Sequence, residues 1–441
     1  MVQNMLSQKS KPSYGVIMMP DRITKRDYDT VVIGGGPAGL AAALKARENG
    51  LETLVVETRE RLGGIPLQCI HPGFGIHYFR EDLTGPEFVY RFIDKLLSTD
   101  IDYTVKSYVN MAKYVSAMEK KLEIITPYGT EMVRTKTIIY AAGARERTRY
   151  EIGITGPNPA GIMTAGEAQT LMDMYGVMPG KRILIVGSGD VGLIMARRFV
   201  IEGAEVVGVV EILPYPSGLM RNVQQCLKDY GIPLLLSHMV ISVKQRNGRV
   251  SSAVVVKVDE SFKPVQGTEK EIECDTIVIA AGLKPRTKLL EILGAQTDPR
   301  TKGPIVNEYF ETTIPGVFVA GNALIINDYV DYAVEQGEIA ALAATKYVCE
   351  KGIKIKKPIR IVLGRNMRLI VPQMLTLTSD ALFYGRVARP EDNVWLSFKE
   401  IGLRIPQLKV LPSIMIRQKI RLDKLRSLET NTMTVEVIPR D

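Results

Sequence analysis

Two stretches of the chain repeat one order of apolar and polar positions. Residues 27–57, DYDTVVIGGGPAGLAAALKARENGLETLVVE, and residues 180–211, GKRILIVGSGDVGLIMARRFVIEGAEVVGVVE, each begin with a short β-branched apolar run. A glycine turn follows, then an apolar-rich helical stretch, a glycine break and a second β-branched run ending on glutamate. The pattern predicts a βαβ unit, present twice. Short strands such as KLEIITPYG and RVSSAVVVKV come next in each half, and then an apolar strand running into small residues, TIIYAAGARERT (137–148) and TIVIAAGLKPRT (276–287). The duplication therefore includes the strand that closes each unit. Beyond it, GVFVAGN predicts a strand and a turn at Gly321, followed by a long helix to about Val348.

From about Lys356 the pattern changes to strand-length apolar runs, IRIVLG, ALFYGRV, NVWLSF, SIMIRQKI and TVEVIP, separated by turn residues. The fold class expected is α/β, with two Rossmann-like βαβ dinucleotide-binding domains, the second inserted in the first, and a small C-terminal all-β module.

Charge is unevenly placed. The chain of 441 residues has a net charge of +9, and residues 351–441 hold 18 Lys/Arg against 8 Asp/Glu, so this tail carries the whole excess. A basic face attracts nucleic acid, anionic lipid or an acidic partner, but aromatic residues are not interleaved with these charges as stacking platforms for nucleic acid require. A solvated basic surface or an acidic protein partner is the expectation, with nucleic acid set aside. Residues 1–26 mix Lys, Ser, Gln and Pro without the apolar run of a signal peptide, and no later segment reads as a membrane span. A mobile N-terminal arm and a cytoplasmic location follow as expectations. The four cysteines, Cys69, Cys226, Cys274 and Cys349, lie far apart and form no zinc or iron–sulfur spacing, so no metal site is expected.

The glycine turns carry the chemistry. Gly34, Gly36 and Gly39, with Pro37 and Ala38 between them, match GxGxxG after a strand and at the start of a helix. In such a turn the first glycine permits the tight bend, the second lets backbone amides approach a pyrophosphate, and the third lets helix and strand pack closely. Glu57, ending the next strand, is placed to accept hydrogen bonds from a ribose. Gly187, Gly189, Asp190, Val191, Gly192 and Glu211 repeat the arrangement. Glu211 stands where a 2′-phosphate would lie, and no Arg or Lys follows it until Arg221, so NAD(H) is expected over its phosphorylated form.

In this order of motifs the chain resembles the two-dinucleotide-binding-domain flavoproteins related to thioredoxin reductase and the pyridine nucleotide-disulfide oxidoreductases. The resemblance covers about residues 27–350. It implies FAD in a domain of residues 27–155 and 285–355, NAD in an inserted domain of 156–284, and a basic module over 356–441. It further implies that Gly34 to Gly39, Glu57, Gly64, Ala142, Gly143, Gly321 and Asn322 hold FAD, and that Gly187 to Gly192, Glu211 and Gly282 face NAD. Asn322 stands where the family usually has aspartate. A branch with GGI, QCIH, GSGD and a closing glycine-asparagine is similar to the FAD/NAD subunits of glycerol-3-phosphate, sarcosine, proline and opine oxidoreductases. That branch often has histidines where this chain has Ile325 and Asn327. A partner dehydrogenase or electron-acceptor subunit is thereby implied.

Disulfide reductases of this architecture carry a cysteine pair after the double glycine or in the nicotinamide domain, whereas LGGIPLQCIHPGFG (62–75) offers Cys69 alone. Cys69 and His71 are the candidate catalytic residues. Cys69 reads either as a lone thiolate whose pKa His71 and the flavin environment lower, or as a small buried hydrophobe. His71 reads as a proton carrier near the flavin or as a packed loop residue. The function expected is an NADH-linked FAD oxidoreductase serving a partner subunit. The alternatives are a freestanding NADH oxidase or peroxidase with Cys69 as redox thiol, and a non-catalytic FAD-binding scaffold.

Overall fold

The computed structural model describes residues 23–353 and 358–440. Its first sheet forms around Asp27–Ile33, whose inward residues Val31 and Val32 are fully buried. That strand pairs in parallel with Thr53–Val56 on one side and Gly129–Tyr140 on the other. Such runs, apolar on both faces, are what a parallel sheet covered by helices requires. The helix Pro37–Glu48 makes the crossover, begun by a proline that fits the first helical position and built largely of alanine. Gly129–Tyr140 is long enough to serve two further partners, running antiparallel to Glu119–Thr126 and parallel to Val317–Val319.

The second sheet is wholly parallel, in the order 162–164, 276–279, 182–186, 205–211, 234–236. An antiparallel sheet of His238–Arg246, Arg249–Lys257 and Lys270–Glu273 supplies Val240, Val243 and Val255 to its core. The chain leaves the first unit along Ala144–Glu146 and returns along Leu283–Pro285, and these two segments pair with each other. The predicted α/β architecture, one βαβ unit inserted in another, is thus the observed one. Ile152 and Ile154 pack with the second unit's core and Thr155 bridges to Ser242, because the crossing is completed at the paired segments.

Residues 358–440 form two sheets, one of five strands and one of three, with helical turns at Lys399–Ile401 and Leu422–Leu425. They do not stand apart. Val371, Leu382, Tyr384 and Met415 belong to the same buried cluster as Val31, Ile138 and Phe310 of the first unit. Of the N-terminal arm, residues 1–22 lie outside the described residues, and the remaining four make contacts with the first unit. Ile23 packs on the core, Lys25 pairs with Glu52 at 2.7 Å, and Arg26 accepts from the Arg134 amide at 2.8 Å.

Candidate functional site

The two glycine turns have one backbone geometry. Gly34 and Gly187 adopt φ of +110° and +103°, and a side chain on either would overlap the carbonyl of Ala141 or Ala280 at the end of the neighbouring strand. The third glycines pack as tightly: a Cβ on Gly39 would overlap the Gly34 carbonyl, and one on Gly192 would lie 2.7 Å from that of Gly187. The middle glycines differ from both. A Cβ on Gly36 would meet only the Gly64 Cα at 3.9 Å, and one on Gly189 would meet nothing closer than 3.9 Å. Gly143 and Gly282, at positive φ just past the closing strands, also open onto space. Each unit therefore has a packed turn with room before its middle glycine and its helix start, which fits the pyrophosphate of a dinucleotide.

The strand-end glutamates hold these turns in shape. Glu57 accepts from the Gly35 amide at 2.6 Å and the Arg59 amide at 2.7 Å. Glu211 accepts from the Ser188 amide at 3.0 Å, the Leu213 amide at 3.0 Å and the Ser217 hydroxyl at 2.9 Å, and also from the Ser188 hydroxyl. The loop carrying Ser217 is tied down again where Asp190 accepts from the Leu219 amide at 2.8 Å and the Asn222 amide side chain at 2.7 Å.

The surroundings of the two turns differ. Ala38 lies against Gly321 and Gly337, so the long helix Val330–Glu350 roofs the first turn, whereas Val191 is 43% exposed. Gly64 is close enough to Gly36 that a Cβ on it would come within 2.9 Å of the Gly36 Cα. At the far end, the Gly321 amide donates to Gln336 at 3.0 Å. The Asn322 side-chain oxygen accepts from the Asn327 amide, also at 3.0 Å. Gln336, Gly337 and Asn327 were not anticipated as part of the site. A glycine inside the helical stretch EQGEIAALAATK was the available signal, since it marks close backbone approach.

Cys69 ends the short turn Ile65–Gln68, buried among Ile65, Gln169 and the start of the helix at Gly85. Burial pushes its thiol up to about 12. Of the two readings of Cys69, this environment supports the small buried hydrophobe: desolvation outweighs the Gln169 contact and the nearby Arg59, and the thiol points to the Gln169 side chain at 3.8 Å. His71 is turned to its own neighbour, with Nδ1 2.9 Å from the Pro72 carbonyl. All four cysteines are free thiols. Gln68 links the units, donating to Gly166 and Gln169 at 3.1 Å and accepting from Thr170 at 3.1 Å. Beside it, burial also pushes up the carboxyls of Asp173 and Glu146. Among the described residues, no helix is long and apolar enough to cross a membrane, and no group of acids, histidines and cysteines is arranged to hold a metal.

Comparison with known proteins agrees with this geometry. The family described as pyridine nucleotide-disulphide oxidoreductase matches residues 28–341. Mitochondrial dihydrolipoyl dehydrogenase of Caenorhabditis elegans is 29% identical over 334 residues, covering 68% of this chain and 64% of that protein. An opine oxidase subunit of Agrobacterium tumefaciens is 27% identical over 337 residues, covering 72% of this chain and 65% of that one. The chain thus spans just under two thirds of the length of these relatives. In fold it is similar to thioredoxin reductase of Lactococcus lactis, with a TM-score of 0.62, 24% identity, and 73% of this chain and 99% of that chain covered.

Proposed function

The chain belongs to the pyridine nucleotide-disulphide oxidoreductase family, and on that premise we propose that it is an FAD-dependent NAD(P)H oxidoreductase that prefers NADH. In this reading it is a subunit that exchanges electrons with a partner of a glycerol-3-phosphate- or amino-acid-type dehydrogenase, without a redox disulfide, in the cytoplasm. When bound, the two cofactors supply the hydride chemistry, and the protein supplies binding, orientation and exclusion of water.

The observation that carries the proposal is the contrast between two turns of one geometry, the first roofed by Val330–Glu350 and the second exposed at Val191. A roofed turn suits a resident flavin and an open one suits a nicotinamide that comes and goes. Gly36, Gly64, Glu57, Gly143, Gly321 and Asn322 would hold the first cofactor, and Gly189, Glu211 and Gly282 the second. Glu211, buried and held by Ser188 and Ser217, puts fixed negative charge where a 2′-phosphate would lie, which supports the NADH preference. The partner is supported by the similarity to a protein named as one component of an opine oxidase, and the absent disulfide by the scattered free thiols.

Anaerobic absorbance titration of the purified protein with NADH, and separately with NADPH, followed by readmission of air, tests this reading. NADH is expected to bleach a bound flavin that reoxidises slowly in air. A flavin that neither nucleotide bleaches would leave only a binding scaffold, and fast reoxidation would point to an oxidase that needs no partner.

A further inference from the structure

The basic C-terminal residues are not all spent on the surface. Arg386, on the strand Ala381–Val387, forms an ion pair with Asp328, and the two side chains are only 15% and 12% exposed. Asp328 also accepts from the Met415 amide at 2.7 Å, and Arg386 further donates to the carbonyls of Ile326 and Pro412, each at 3.2 Å. A second grip lies seven residues on, in the helix. Glu335 accepts from the Tyr384 hydroxyl at 2.7 Å and from Arg417 at 2.9 Å. The first grip closes on the loop that joins the Gly321–Asn322 turn to the helix Val330–Glu350, and the second on that helix itself.

That loop is hydrogen-bonded inward as well. Asn327, the neighbour of Asp328, donates through its amide to Asn322 at 3.0 Å, and its side chain accepts from Gln336 at 2.9 Å. Gln336 is fully buried and accepts from the Gly321 amide. A continuous path therefore runs from Arg386 through Asp328 and Asn327 to both residues of the turn. Burial, with a smaller push from the Asp190 charge, raises the Asp328 carboxyl, and Arg386 and the Met415 amide oppose that shift. Removing one partner of a buried pair leaves its charge uncompensated, so the loop would move rather than keep a bare carboxylate in place.

We propose that Arg386, acting through Asp328, is a positioning residue for the Gly321–Asn322 turn, so that the C-terminal module sets how tightly and in what geometry the flavin is held. This rests on the reading that the first unit holds FAD. Arg386 reaches this loop at the Asp328 carboxylate and the Ile326 carbonyl, while Arg417 and Tyr384 hold Glu335 in the helix that follows.

The test uses purified full-length holoprotein and follows flavin release on dilution by its fluorescence rise, together with the visible circular dichroism of the bound flavin. Arg386→Met is expected to release flavin about tenfold faster or more and to change the visible dichroism. Arg386→Lys, which keeps the charge, should recover part of both. Arg365→Met, which breaks the Arg365–Glu391 pair inside the module, should change neither. Should Arg386→Met fail to fold by far-ultraviolet dichroism, Arg386→Lys and Asp328→Asn decide on the same two readouts. Wild-type release and dichroism in the folded Arg386 or Asp328 variants, or an equal change in Arg365→Met, would overturn the assignment alone. Wild-type protein that binds no flavin would overturn the functional reading with it.

Discussion

Ala38, in the first helix, is pressed against Gly321 and Gly337, while Val191, at the matching place in the second helix, is 43% exposed. Around these two residues nearly everything local is the same: the glycine at positive φ, the strand-end carbonyl beneath it, the glutamate accepting from the amide that follows. The motif fixes the turn and the space before it. What covers the start of the helix differs: an element about 300 residues further along the chain packs against Ala38, whereas Val191 is exposed. One local sequence can in this way serve a cofactor that stays and a cofactor that exchanges.

The comparison breaks most sharply at the third glycines. Gly39→Ala forces a methyl into the Gly34 carbonyl, at a cost on the order of 3 kcal/mol, and the variant should purify without flavin. Gly192→Ala meets Gly187 at 2.7 Å and Ala280 at 2.8 Å, and should keep its flavin while losing reduction by NADH. Flavin content and stopped-flow reduction of the two variants separate the sites. Equal flavin loss in both would mean that the turns are not independent.

The glutamates sharpen the contrast with a smaller effect. Glu57→Ala leaves the buried Gly35 amide and the half-buried Arg59 amide without an acceptor, worth about 2 kcal/mol, or roughly thirtyfold in flavin affinity. Glu211→Ala should leave flavin bound, weaken NADH and narrow the preference over NADPH by about tenfold, seen in the concentration dependence of reduction by each nucleotide.

Cys69 gives the smallest effects, on activity and on stability. Cys69→Ala should change the rate of flavin reduction by less than about twofold, because the thiol stays protonated at neutral pH. It also has a linkage consequence. Burial raises the folded thiol from 9.0 to about 12, so above pH 9 the unfolded chain releases a proton that the folded chain keeps. Stability should therefore fall as pH rises from about 9 to 12, and Cys69→Ala should flatten part of that fall, as measured by urea unfolding across the range. Cys274, raised to about 12 by burial, supplies a second contribution of the same sign.

What was legible in the chain was local. The glycines at 34, 36, 39 and 187, 189, 192 sit at fixed offsets between a strand and a helix, so their turns and their partner glutamates can be read from spacing. Contacts between distant segments leave no such spacing. Gln336 and Asn327 look like ordinary polar residues of a helix and a loop until the fold brings them to Gly321 and Asn322. Arg386 and Arg417 count toward a basic tail in the sequence, yet pair with Asp328 and Glu335 of the first unit. For the same reason the contact of the module with the first unit, where Tyr384 and Met415 share a core with Val31 and Phe310, could not be read from the chain. Cys69 was ambiguous because reactivity depends on burial, which one residue beside a glycine pair does not reveal.

The most direct measurement is the fate of both cofactors on a desalting column. Purified protein is mixed with excess FAD and NADH under anaerobic conditions, desalted, and assayed for each cofactor per chain. Flavin retained near one per chain with nicotinamide washed out is the result that a roofed first turn and an open second turn predict. Retention of both, or loss of flavin along with the nicotinamide, would contradict the assignment of the two turns.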